Sequence, residues 1–315
     1  MLSRRGFING AIGAGAAALV TRQARDAAAQ APVVTTAGRR MIVDAQVHLW
    51  KAQTPDRPWV PGMVPQLPEP FTYDKLLPMM DEAGVSRVVV VPPSWEGNRI
   101  DYALEAAGKY PDRFGVMGRI PLADPKSAAL LPRWKEQKGM LGMRVTFLGP
   151  NAAWLSDGTV DWFWPAAEKA GIPVMFLTNG QLAKFDAIAQ RHPGLNLIID
   201  HMGLTGDIAK AGTIAETISQ GVALAKYPNV SVKLSATPTY TSEPYPFPGF
   251  TPHIRRLFEA FGPQRCYWGT DMTNSFAKAT YKQRIAHFTE HLDFLSESDK
   301  DWVMGRAIMA RLNWT

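Results

Sequence analysis

Two histidines, two carboxylates, an arginine and a lysine stand at or just after short apolar runs of this chain: His48, Arg144, Asp200, His201, Lys233 and Asp271. Carboxylates and imidazoles take up and release protons; guanidinium and ammonium groups hold anions and developing negative charge. The first run, residues 41–50, opens with apolar and β-branched residues and then alternates. In a strand, that alternation puts Asp44, Gln46 and His48 on one face and Ala45, Val47 and Leu49 on the other. Three polar groups on one face of a buried strand are costly unless that face lines a wet cavity or a site. An edge strand would also explain them, but the apolar lead-in favours a central one.

Groups this far apart in sequence need a scaffold that gathers strand ends. Residues 54–71 hold six prolines, which forbid a helix and stiffen the segment. With Trp50 and Trp59 beside it, this stretch reads as a rigid aromatic cover over a cavity or as a plain surface loop. From Tyr73 onward, helical and extended patterns alternate. Helices are expected over 73–83, 99–110, 125–138 (interrupted by Pro132), 161–170, 181–191, 207–227, 252–261, 281–295 and 299–312. Strands are expected over 85–91, 114–120, 140–148, 173–177, 195–200, 230–234 and 266–269, which with the first makes eight. Apolar strands separated by helices imply parallel pairing with both sheet faces covered, and eight such units predict a (β/α)8 barrel. A doubly wound open sheet is the competitor, but no G-x-G-x-x-G follows the first strand.

A barrel carries its chemistry at the C-terminal ends of its strands. Those ends offer Asp44, Gln46 and His48; Pro92 and Ser94; Arg119; Arg144 and Thr146; Thr178 and Asn179; Asp200 and His201; Lys233 and Ser235; Thr270 and Asp271. A purely structural barrel has no reason to collect so many ionisable groups at one rim.

Composition narrows the class. An apolar content of 46% is ample for a core and excludes a disordered chain. Half of the net charge of +6 sits in the first 31 residues, and the rest is spread without a basic run, which speaks against nucleic acid. A small anionic substrate is compatible with it. Ser3-Arg4-Arg5-Gly6-Phe7, the apolar run 8–20 and Ala29-Gln30-Ala31 read as a twin-arginine export signal, the run being too short to span a bilayer. The expected organisation is a signal over 1–31, a linker over 32–40 and one barrel domain over 41–315, exported folded to the periplasm. No membrane span is expected once the signal is removed. The single Cys266 forms no internal disulfide. His287-Phe288-Thr289-Glu290-His291 spells H-x-x-E-H, but Lys282 and Arg284 share its helix and no third ligand is evident, so it is not read as a zinc site.

Five segments carry a resemblance: residues 43–50, Gly142-Met143-Arg144, Asp200-His201-Met202-Gly203, Val232-Lys233-Leu234-Ser235 and Trp268-Gly269-Thr270-Asp271. Together they resemble the amidohydrolase-related branch of the amidohydrolase superfamily. More narrowly, they are similar to its lactonase-like members of the fuconolactonase, pyrone-dicarboxylate hydrolase and sulfomuconolactone hydrolase types. The resemblance implies a (β/α)8 barrel, hydrolysis, and Asp271 as the general base. Two departures stand out. Gln46-Val47-His48 replaces the usual H-x-H, and Leu177-Thr178-Asn179 ends the fifth strand where metal-binding members place a histidine. A neutral amide is a poor ligand for zinc or manganese, so no metal cofactor is expected; the alternative is one divalent ion, zinc or manganese, on His48, Asp271 and His201.

On this reading Asp271 takes a proton from the attacking water. His201 polarises the carbonyl or protonates the leaving oxygen, and His48 orients the water or Asp271. Gln46 donates to a substrate oxygen, Thr178 and Trp50 line the pocket, and Arg144 and Lys233 clamp a carboxylate or sulfonate. The competing expectation for Arg144 and Lys233 is an ion pair with a neighbouring aspartate. A second loop rich in proline and aromatics, 237–252, joins Trp50 in walling the site. The expected function is hydrolysis of a lactone or related ester of a small carboxylated or sulfonated acid. The alternatives are metal-dependent, non-oxidative decarboxylation of an aromatic acid, and a binding protein that has lost the chemistry. The sequence leaves a homo-oligomer open.

Overall fold

The β-branched and aromatic runs form eight strands: β1 Val43–Val47, β2 Arg87–Val90, β3 Phe114–Gly118, β4 Met140–Phe147, β5 Val174–Thr178, β6 Leu197–Ile199, β7 Val230–Ser235 and β8 Cys266–Gly269. The structure is a computed structural model and describes residues 40–315. Each strand pairs in parallel with the next, from β1 to β8 in chain order. The β8–β1 seam is drawn together just past the strand ends. There the Asp271 N–H donates to the Gln46 carbonyl at 2.9 Å and the Thr270 N–H to Asp44 Oδ1 at 2.8 Å. Gly269 permits that approach, since a Cβ there would lie 3.2 Å from the Ala45 backbone nitrogen. The result is the (β/α)8 barrel expected from the alternation.

Helices cover the outside: α1 Tyr73–Ala83, α2 Asp101–Lys109, α3 Phe163–Lys169, α4 Phe185–Arg191, α5 Gly206–Ala211, α6 Ile214–Leu224, α7 Thr251–Phe261, α8 Tyr281–Glu290, α9 Glu297–Asp301 and α10 Ala307–Leu312. Alternate strand residues divide between two apolar layers. Val88, Val90, Phe147, Phe176 and Val232 face the helices, while Val43, Ala45, Val89, Met117, Met175, Ile198 and Tyr267 share the inner cluster. The inner cluster also takes in Ile308, Leu312 and Trp314 of the chain's end. Arg311 fastens that end, donating to Tyr267 Oη at 2.9 Å and to Asn196 Oδ1 at 2.7 Å. The last helix therefore packs at the strand N-termini and leaves the opposite mouth for chemistry.

Four helices differ from the sequence expectation. Residues Pro125–Glu136, with Pro132 among them, form a 3₁₀-helix rather than an α-helix. The span 207–227 breaks at Gly212, whose φ of 72° ends α5. Helix α8 stops at Glu290, and the last helical stretch begins earlier, at a Ser296 capping box, and passes through a π-turn over Trp302–Arg306. Gly305 in that turn lies so close to β1 that a Cβ would meet the Met41 carbonyl oxygen at 2.6 Å.

The expected export signal and nearly all of the linker lie outside the described residues. Among the described residues no helix is long and apolar enough to cross a membrane.

Candidate active site

The chain turns sharply where β6, β7 and β8 end. His201 (φ 51°), Met202 (φ 61°), Ala236 (φ 63°) and Asp271 (φ 43°) all adopt left-handed backbone. For a residue with a Cβ this costs roughly 1–2 kcal/mol and persists only where the surroundings demand it. Here the turns carry His201 and Asp271 into one buried cluster with Gln46 and His48.

His48 Nε2 lies 3.1 Å from Asp271 Oδ1, and His201 Nε2 lies 3.5 Å from Asp271 Oδ2. His48 Nδ1 is 2.7 Å from the Val91 carbonyl, which can only accept, so this nitrogen carries a proton. Asn274 donates to Asp271 Oδ2 from the other side. Burial pushes the Asp271 pKa up, but the neighbouring His201 and His48 and the bonds from His48 and Asn274 outweigh it. Its carboxyl is held well below the usual carboxylate range. His201 behaves oppositely: burial, only partly offset by Asp271 and Asp200, pulls it down to about 4. At neutral pH it is an uncharged imidazole, with Nδ1 2.8 Å from Ser235 Oγ and Nε2 3.1 Å from the Gln46 amide nitrogen.

The second half of the site is cationic. Asp200 lies 3.0 Å from Arg144 Nε and 2.6 Å from Lys233 Nζ, so both side chains expected to clamp the substrate are ion-paired at rest. Lys233 also donates to Gln46 Oε1, which ties this trio to the histidine cluster. Burial raises the Asp200 pKa less than Lys233 and Arg144 lower it, and the carboxyl is held ionised. Two cations around one carboxylate leave a net positive charge. Arg119 adds another: it donates to the Pro92 carbonyl at 2.7 Å and to Thr146 Oγ1 at 3.2 Å, while its buried Nη2 has no partner among the described residues. Burial and repulsion by Arg144 pull Arg119 well below the usual guanidinium range. Arg119 and Arg144 share the wall of a cavity of about 450 Å³ with Asn98, Leu122 and Trp154. That is room for a small organic acid.

Several expected residues stand elsewhere. Asp44 does not join Gln46 and His48, because the β1 register shifts between Asp44 and Val47. Instead Asp44 accepts from Thr270 Oγ1 at 2.6 Å and Tyr281 Oη at 2.8 Å and serves the barrel seam. Thr178 falls on the strand face of Val174 and Phe176, away from the cluster, and its buried Oγ1 has no partner among the described residues. Trp50 is fully buried, 5.0 Å from Trp95 in an edge-on contact. It is Trp95 that meets His48, at 6.1 Å. Trp50 therefore backs the site from behind Trp95, a residue the sequence reading missed although it directly follows Ser94.

The two proline-rich segments do wall this end. Residue Val60 donates to the Trp95 carbonyl at 2.8 Å, and Gln66 accepts from Thr273 after β8, so the first segment reaches from the loop after β2 to the loop after β8. Arg57 anchors it through Glu96 at 2.7 Å and Asp101 at 2.7 and 3.0 Å. In the second segment Tyr240 is buried, and burial together with the Asp271 and Asp200 charges keeps its hydroxyl protonated.

The H-x-x-E-H histidines part company. His291 meets Tyr245 Oη at 2.8 Å, whereas His287 is buried edge-on against Phe247 at 5.6 Å. Burial, reinforced by His291, pulls His287 down to about 4 from an ordinary 6.5. Between those values the unfolded chain binds a proton that the folded chain refuses, so stability falls as pH falls. His287 alone is expected to remove about 3 kcal/mol between pH 7 and pH 4, and His201 acts in the same direction. In urea unfolding at the two pH values, His287→Gln should abolish a substantial part of that difference. An unchanged difference would refute the assignment.

A divalent cation would have to draw on His48, His201 and Asp271, and these residues do not fit one. The Gln46 amide nitrogen stands where they converge, 3.1 Å from His201 Nε2 and 3.5 Å from both His48 Nε2 and Asp271 Oδ1. The Lys233 ammonium lies just behind that amide.

Comparison with known proteins agrees with this barrel. A curated L-fucono-1,5-lactonase from Burkholderia ambifaria is 28% identical over 73% of this chain and 79% of its own length. An amidohydrolase from Burkholderia multivorans solved with bound zinc superposes with a TM-score of 0.71 at 20% identity, covering 87% of this chain and 99% of its own. A probable 2-pyrone-4,6-dicarboxylic acid hydrolase from Acinetobacter baumannii, solved with citric acid, superposes with a TM-score of 0.68 at 17% identity over 87% of this chain and 99% of its own. The amidohydrolase family model matches residues 43–308, the span that holds all eight strands and every group of the buried cluster. The chain belongs to the amidohydrolase family and is a hydrolase.

Proposed function

We propose that this hydrolase opens a lactone or related ester of a small carboxylated or sulfonated acid, with Asp271 receiving a proton from the attacking water. The observation that supports it most is the buried Asp271 carboxylate, held ionised between two histidines beside a trio with excess positive charge. As the water oxygen bonds to the carbonyl carbon, its proton passes to Asp271. When the ring C–O bond breaks, the same proton goes to the departing oxygen, since a carboxyl with so low a pKa does not retain it. Arg144 and Lys233 face the negative charge that develops on the carbonyl oxygen, and Arg144, which borders the cavity, holds the acid group of the substrate. His201, neutral and accepting from Gln46, positions that amide rather than serving as a cationic acid. The lactonase relative supports the reaction class, and the Ser3-Arg4-Arg5 pattern supports a periplasmic site of action.

The test is a pH-stat screen of purified protein against a lactone panel, with and without chelator, alongside an aromatic carboxylic acid. Acid release from an anionic lactone, undiminished by chelator, is the expected result. Turnover of the aromatic acid with no lactone hydrolysed would overturn the reading.

A further inference from the structure

We propose that the Gln46 carboxamide, backed by Lys233, takes the place of a divalent cation in this barrel. Three side chains of metal-ligating type, at the ends of β1, β6 and β8, converge on one point, and the atom at that point is the Gln46 amide nitrogen. With the centre empty, the lone pair of His201 Nε2 would face the Asp271 carboxylate 3.5 Å away. A carboxamide nitrogen offers two N–H donors. One satisfies His201 Nε2 at 3.1 Å; the other points to Asp271 Oδ1 at 3.5 Å. His48, with Nδ1 fixed on the Val91 carbonyl, places Nε2 3.1 Å from Asp271 Oδ1, and Asn274 covers Oδ2. Every acceptor in the cluster thus has a donor from the chain itself.

The positive charge that a metal would bring is supplied one bond further out. Lys233, wholly buried, donates to Gln46 Oε1 and is ion-paired with Asp200, so its ammonium draws electron density towards the amide oxygen and makes the two N–H groups stronger donors. The arrangement also repels a real cation. An ion approaching Asp271 would meet the Gln46 N–H groups first, and its field would oppose Lys233 and Arg144. Both devices rest on residues outside the histidine–aspartate set. A ligating side chain at position 46 removes the first device and leaves an ion facing only the more distant Lys233 and Arg144.

The experiment is zinc and manganese binding to the full chain by equilibrium dialysis with plasma-emission readout, for wild type, Gln46→His and the nearly isosteric Gln46→Glu. It uses no substrate, so its outcome is independent of whether the lactone reading holds. Each variant is expected to bind one ion per chain at least about 100-fold more tightly than wild type, since each replaces two N–H donors by a ligand. Should Gln46→His fail to fold by circular dichroism, Gln46→Glu decides alone. Wild-type binding as tight as that of the folded variants overturns the proposal. So does a folded variant that binds no better than wild type.

Discussion

Asp271→Asn is expected to lower kcat/KM for the hydrolysed lactone by about 10³-fold, within the roughly 10²–10⁴ that a positioned proton acceptor contributes. The change is nearly isosteric. An asparagine there can still meet His48 and Asn274, so the fold and the Arg144 side of the cavity remain. The loss should therefore fall on kcat with KM little altered, the mark of an interaction made in the transition state. The pH profile carries a second signature. Because the neighbouring histidines hold the Asp271 carboxyl so low, this group stays ionised across the whole mildly acidic range. No decline in kcat/KM near pH 4, where an ordinary aspartate titrates, should be traceable to it. Retention of more than about a tenth of wild-type kcat by Asp271→Asn would remove the aspartate from the mechanism.

The barrel was legible because its code is coarse. Apolar runs bounded by Gly or Pro, such as 85–91 before Pro92-Pro93, name strands whichever way each residue points. The rim residues followed from strand ends alone, which is why His48, Asp200, His201, Lys233 and Asp271 converge as expected. Parity was harder. Strict alternation assigned Asp44 to the face of Gln46 and His48, but an irregularity before Val47 sends it to Thr270 and Tyr281, and no residue in Val43–Val47 announces it. The same limit applies to Thr178, whose face depends on the register of β5. Trp50 and Trp95 show a different gap: an aromatic near a site gives no indication of which ring stands in front. The role of Asp200 as a bridge between Arg144 and Lys233 needed coordinates, because three residues from β4, β7 and the end of β6 meet there.

That bridge separates what the site costs from what it does. Asp200→Ala would leave Lys233 and Arg144 buried without their counter-charge, with Arg119 joined to the same Thr146 hydroxyl as Arg144. Removing one partner of a buried ion pair typically costs about 3–5 kcal/mol, because the remaining charges stay desolvated. A loss of that size should appear as a lower urea midpoint with an unchanged slope. Replacing all three together, as Asp200→Leu with Lys233→Met and Arg144→Met, exchanges the charges for apolar groups of similar bulk and is expected to recover most of the loss. Lactone hydrolysis should not return with it, since Gln46 then lacks its ammonium and the cavity its Arg144 guanidinium. Stability restored without activity would show that the buried charges are retained for the reaction. If instead Asp200→Ala costs less than about 1 kcal/mol, the trio is not the desolvated cluster its geometry describes.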